Sequence, residues 1–144
     1  MATGVQVVID CADPGRLAEF WAAAMGYKVQ DPPPGFDSWQ AWLQSINVPE
    51  SEWNSASAVV DPEGKGPRFF FQQVPEPKTV KNRVHVDLNV AGGFSVPLEE
   101  RKSRAHAEAT RLAALGARQL SINDSWRGFS IVMADPEGNE FCLQ

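Results

Sequence analysis

Ala134–Gln144 reads A-D-P-E-G-N-E-F-C-L-Q, and Val60–Gly64 anticipates it with V-D-P-E-G. In both places an apolar, β-prone run enters a Pro-Gly turn. Asp or Pro opens such a turn, and Gly closes it at low steric cost. Two copies of one turn imply a chain built twice from one unit, so the rest of the sequence can be read around them.

Val5–Cys11 is β-branched and reads as a strand. Asp13 and Pro14 suit the cap and first residue of a helix, with Leu17, Phe20, Trp21 and Ala24 on one face and Gly26 as its stop. Tyr27–Gln30 starts a second strand, and the proline-rich Asp31–Gly35 is a loop. Residues 36–54 are rich in Trp. Within them Trp39, Trp42, Leu43 and Ile46 have helical spacing, and Pro49 stops the run. Ser55–Val60 and Arg68–Val74 are strands on either side of the first turn.

The second half repeats the order. Arg83–Val90 is a strand, Pro97–Leu115 a helix closed by Gly116, and Arg118–Ile122 a strand. Asp124–Gly128 is a turn, and Phe129–Ala134 and Glu140–Gln144 are strands flanking the second D-P-E-G. Gly26 answers Gly116, and Asp61 answers Asp135. The expectation is an α+β protein of two βαβββ modules, residues 1–76 and 82–144, joined by a linker at 77–81.

Composition narrows the function. The chain has 144 residues, 43% hydrophobic and 22% charged, with a net charge of −5. That size suits one domain or two small modules, and the acidic balance argues against nucleic-acid and anionic-membrane binding. No apolar run is long enough to span a bilayer, and the first residues lack the pattern of a signal peptide. A cytoplasmic protein is expected, with Cys11 and Cys142 as free thiols.

Alternation points to a site. Arg83, His85, Asp87 and Asn89 share one face of their strand, and Val84, Val86, Leu88 and Val90 share the other. Gln6, Val8 and Asp10 form a weaker polar face, as do Glu140, Cys142 and Gln144. Apolar faces should take the helices, and polar faces would line a cavity if the sheet curves. A half-exposed antiparallel sheet alternates in the same way.

The segments Gln6–Asp13, Leu17–Gly26, Arg83–Val90 and Asp135–Leu143 together resemble the vicinal oxygen chelate superfamily, the glyoxalase/bleomycin-resistance/dioxygenase fold. Phe71–Lys78 and His85–Leu88 are similar to its glyoxalase-like domain branch, and only residues 36–54 stand outside the resemblance. It implies two βαβββ modules in a U-shaped, mixed or antiparallel sheet around one cavity, with the helices on the outer face. It also implies a homodimer as one form of the protein.

Metal-binding members take ligands from the first and last strand of each module. Position by position, these fall on Gln6, His85 and Cys142. Arg68, Phe70 and Gln72 compete for the end of the first module, and the F-Q pattern favours Gln72. Glu140 lies two residues before Cys142 on the same face. Hard ions want anionic oxygen, which Gln6, Gln72, His85 and Cys142 do not supply, whereas zinc accepts His and thiolate.

The expectation is therefore a protein that binds a small organic molecule in the cavity between its modules, without the usual divalent metal. Gln6, Phe70, Gln72, Asp87 and Cys142 are the candidate contacts. If a metal is present, zinc is the candidate, held by Gln6, His85 and either Glu140 or Cys142. The alternative is a lyase or isomerase for a small oxygenated substrate, with His85 as acid/base. Asp87, about 6.5–7 Å along the strand from His85, would tune the field rather than touch the ring. Cys142 can equally be a small apolar filler, and His85 a satisfied core histidine.

Overall fold

The computed structural model describes residues 1–144 and divides into two compact units, Met1–Pro77 and Lys78–Gln144. Unit 1 contains β1 (Val7–Cys11), α1 (Pro14–Met25), β2 (Lys28–Val29), α2 (Trp39–Ser45), β3 (Ala56–Val60) and β4 (Phe69–Gln73). Unit 2 contains β5 (Asp87–Leu88), α3 (Leu98–Ala114), β6 (Arg118–Ser125), β7 (Gly128–Ala134) and β8 (Glu140–Leu143).

Each unit holds one four-stranded mixed sheet, ordered β1-β4-β3-β2 in unit 1 and β5-β8-β7-β6 in unit 2. In both, the first strand pairs parallel with the last and the other pairs are antiparallel. The expected repeat is therefore a repeat of topology: two βαβββ modules in an α+β chain.

The two D-P-E-G turns are built alike. Gly64 donates its amide to the Asp61 carbonyl at 2.9 Å, and Gly138 does the same to Asp135 at 2.9 Å. Glu63 N–H bonds Asp61 Oδ1, and Glu137 N–H bonds Asp135 Oδ1, both at 2.9 Å. Each closing glycine has positive φ, 69° and 89°, where a side chain would be strained. The copies differ in what else their carboxylates hold. Asp61 also accepts from the amides of Lys65 and Gly66, and Asp135 from the amide and side chain of Asn139. Asp135 is buried at 3% exposure.

Helix starts and stops follow the sequence. Asp13 accepts from Arg16 N–H, Pro14 opens α1, and Gly26 closes it in the left-handed region. Asn54 donates to Asp13 at 2.8 Å and accepts from Gly15 N–H at 2.8 Å, which pins the end of the Trp-rich segment to the start of α1. That bond, then the Arg16 amide, holds the Asp13 carboxyl below the usual carboxylate range. Leu17, Ala18, Phe20, Trp21 and Ala24 are buried, with Trp21 stacked on Phe69 at 5.8 Å. In α3 the buried stripe is Ala105, Ala109 and Leu112. Its small residues let the helix come close to the sheet.

Two strand readings need correction. Arg83–Val90 does not form an eight-residue strand: only Asp87–Leu88 is regular. β8 has four residues, so its partner is short of ladder positions, and Val84 is 84% exposed. Conversely, β6 runs to Ser125 and leaves only Trp126 and Arg127 as the turn to β7.

The carboxylate of Asp135 is buried and fully engaged, so Asp135→Ala should cost about 2 kcal/mol in chemical denaturation. A loss below a few tenths of that would show that the turn holds without it. Asp61, held low first by the Glu63 amide and then by Gly66, acts through pH. Its stabilisation is complete above the ordinary Asp value of about 4 and is lost as pH falls through the lower folded value. Asp61→Asn should flatten stability against pH in that acid range.

Candidate functional site

The pairing of β5 with β8 is what assembles unit 2's polar face. Asp87 lies opposite Cys142 in this parallel pair, with the register continuing to Leu88 and Leu143. Cys142 N–H donates to the Val86 carbonyl at 3.0 Å, which carries the pairing upstream towards His85. Side chains two residues apart share a face, so His85 joins Asp87 there.

The three side chains meet. His85 Nε2 lies 3.4 Å from Asp87 Oδ1, and the potential ligand atoms of His85, Asp87 and Cys142 all lie within 4.8 Å of one another. This corrects the expectation that Asp87 only tunes the field. The spacing along the strand separates the Cα atoms, but rotamers let the tips converge. Burial pushes the Cys142 thiol above its usual range, and the Asp87 carboxylate, which takes a hydrogen bond from it, pushes the same way. Cys142 is buried, so it fills space as expected of a free cysteine, but it does so beside ionisable partners.

Glu140 is committed elsewhere. Its carboxylate accepts from the Asn82 amide at 3.0 Å and lies 3.1 Å from Lys78 Nζ. Burial alone would raise its pKa, but these bonds outweigh burial and hold it below the usual range. It thereby anchors the segment that leads into β5.

These residues line a cavity of about 1000 Å³ within unit 2. Two aromatic side chains stand at its wall almost fully exposed, Phe94 at 88% and Trp126 at 91%. Arg101 lies over Phe94 at 5.2 Å, and Arg127 over Trp126 at 5.6 Å. None of these four was singled out from the sequence as a site residue. The available signal was W-R at the centre of the turn after β6, where a two-residue tip leaves both side chains in solvent.

Unit 1 presents a different set on equivalent positions. Ala58 faces Phe70 in unit 1 as Val132 faces Cys142 in unit 2, with Asp61 and Asp135 each three residues further on. Phe70, not Gln72, is therefore the counterpart of Cys142. By the parallel registers Val8 answers Asp87, and Gln6 answers His85. Gln6 accepts a 2.7 Å bond from Arg68, whose guanidinium also lies 5.3 Å from the Phe70 ring. A guanidinium on that amide oxygen opposes a cation there. Gln72 is exposed, and its carbonyl accepts from the Cys11 thiol.

With this geometry in view, comparisons place the chain. A sequence model described as "Glyoxalase-like domain" matches residues 6–144. The chain belongs to the glyoxalase-like domain family. Its fold is that of the vicinal oxygen chelate proteins. Fosfomycin resistance protein FosX from Mesorhizobium loti superposes with a TM-score of 0.62 at 12% identity, covering 100% of this chain and 92% of that one. A glyoxalase/bleomycin resistance protein/dioxygenase family enzyme from Burkholderia phytofirmans gives 0.59 at 15% identity, covering 96% and 94%. FosX from Listeria monocytogenes, complexed with Mn(II) and 1S,2S-dihydroxypropylphosphonic acid, gives 0.59 at 13%, covering 100% and 90%. No curated protein matches the chain. No helix is long and apolar enough to cross a membrane.

A hard ion such as Mn²⁺ fits this glyoxalase-like chain poorly. The converging donors are one nitrogen, one carboxylate and one sulfur, and the nearby carboxylate of Glu140 is neutralised by Lys78. Removing that anchor should be visible: Glu140→Ala should speed hydrogen exchange at 78–82 and cost about 1–3 kcal/mol. Unchanged exchange at the Asn82 amide would refute the anchoring role.

Proposed function

We propose that this glyoxalase-like protein binds a small, flat organic molecule bearing anionic oxygen, in the cavity of unit 2. The observation that carries this reading is the pairing of each exposed aromatic ring at the cavity wall with an arginine. A ring and a guanidinium side by side suit a ligand that is planar on one part and anionic on another. The charge balance agrees. Of the cavity's carboxylates, Glu140 is matched by Lys78, Asp124 by Lys102, and Asp87 lies against His85, whereas Arg101 and Arg127 lean on rings. A volume of about 1000 Å³ accommodates a metabolite-sized molecule. The FosX complex from Listeria monocytogenes holds a phosphonic acid, which supports an oxyanion as the ligand class and not the compound.

A second reading is favoured by the 3.4 Å approach of His85 to Asp87. In it the protein is a lyase or isomerase, and His85 moves a proton on an oxygenated substrate while Asp87 orients the ring. The first reading needs only binding, whereas the second needs turnover.

A thermal-shift and calorimetric screen of aromatic and hydroxy-acid anions, run with chelator present, separates them. The expected result is a ligand whose affinity falls about 3–10-fold in Trp126→Ala, in line with the loss of one aromatic contact. The affinity should also fall in Arg101→Ala. Equal binding by both variants and wild type would overturn the cavity assignment. Conversion of the ligand by wild type but not by His85→Ala would replace the first reading with the second.

A further inference from the structure

We infer that Arg68 forms an anion site on the polar face of unit 1, one that takes the carboxylate of a small molecule. This site is separate from the ligand reading above, which concerns Arg101 and Arg127 in unit 2.

Three segments build it. Arg68 leads into β4, and its carbonyl accepts from Val7 N–H at 3.0 Å, which sets it beside Gln6 at the start of β1. Gln30 follows β2, where its N–H donates to the Ala58 carbonyl at 2.9 Å and its carbonyl accepts from Trp39 Nε1 at 2.7 Å. The Trp-rich segment thus holds Gln30 in place. Both glutamines turn their amide oxygens to the guanidinium. Arg68 Nε donates to Gln30 Oε1, and Nη1 to Gln6 Oε1, each at 2.7 Å. The guanidinium carbon lies over the Phe70 ring, 5.3 Å from its centre.

These neighbours orient the guanidinium without neutralising it. An amide oxygen accepts as a carboxylate does, but it brings no net charge. The half-buried Arg68 therefore keeps its whole positive charge, whereas Lys28 and Lys65 of the same unit are paired with Asp31 and Glu63. Only Nε and Nη1 are engaged, so both N–H groups of Nη2 stay open. Held on three sides, the side chain has lost rotamer freedom before any ligand arrives, a cost that otherwise weakens an exposed arginine contact. A single charge on a planar fork suits a carboxylate, which is planar and monoanionic. A phosphate dianion would bring a second charge that Arg68 alone does not balance. Gln6, Gln30 and Phe70 position the group that binds.

Benzoate and inorganic phosphate, each titrated at matched ionic strength into isotope-labelled protein, are the probes. By nuclear magnetic resonance, benzoate should shift the amides of residues 68–70 and the Gln6 side-chain amide saturably, and phosphate should do so more weakly. Arg68→Ala should abolish the response. Arg68→Lys keeps the charge but lacks the fork, and should weaken benzoate by about tenfold, the scale of one charge-assisted hydrogen bond.

Gln30→Glu separates binding from a merely structural tie between strands. The new carboxylate keeps the bond to Nε and supplies the missing negative charge. Benzoate affinity should fall by about tenfold or more while circular dichroism and stability stay native. Lys65→Ala should change nothing, which excludes a general effect of charge.

The absence of a saturable shift in wild type, or benzoate affinity unchanged in folded Gln30→Glu, would overturn the inference. Phosphate bound more tightly than benzoate would overturn the choice of a carboxylate. The effect of Trp126→Ala reads the unit 2 proposal separately, so either can fail alone.

Discussion

The structure of unit 2 hangs on one buried carboxylate. Asp135 accepts from the amides of Glu137 and Asn139 and from the Asn139 side chain, so the chain can reverse only one way. That reversal fixes how β8 pairs with β7, Ala134 against Glu140 and Val132 against Cys142. A slip of one residue would turn every side chain of β8 to the other face. Phe141 and Leu143, now fully buried, would face the cavity, and Cys142 would enter the core. The turn thus decides both the core and the chemistry of the polar face.

The two units show what a repeated scaffold allows. Their strand order, parallel first-to-last pairing and turn geometry are the same. Yet the positions that hold His85, Asp87 and Cys142 in unit 2 hold Gln6, Val8 and Phe70 in unit 1. Glu140, bound by a lysine, is answered by Arg68, bound to a glutamine. Backbone hydrogen bonds and apolar faces maintain the fold. Polar-face side chains take no part in that backbone pairing, so they can diverge while the strand order is kept.

Several site residues could be found by pattern because their backbone role is regular. His85 and Asp87 stand two apart on a strand, and Cys142 stands four after the turn glycine. Others could not. Phe94 lies in a loop between β5 and α3, and Trp126 sits on a two-residue tip. Loops and tips have no periodicity to read, so their placement depends on where the flanking elements end. The same limit explains the choice of Gln72 over Phe70: a motif gives residue types, whereas equivalence is set by register.

The sequence by itself determined the two βαβββ modules, the helix caps, the D-P-E-G turns and which strand faces are apolar. Each follows from local rules: cap chemistry, positive φ at glycine, and a period of two or 3.6. Only the tertiary structure decided that His85 touches Asp87, that Glu140 is spent on Lys78 and Asn82, and that arginines lie over the cavity's aromatic rings. The Glu140 contacts depend on pairing between segments more than fifty residues apart, and the others on side-chain rotamers. No local pattern in the chain encodes the distance between two such tips.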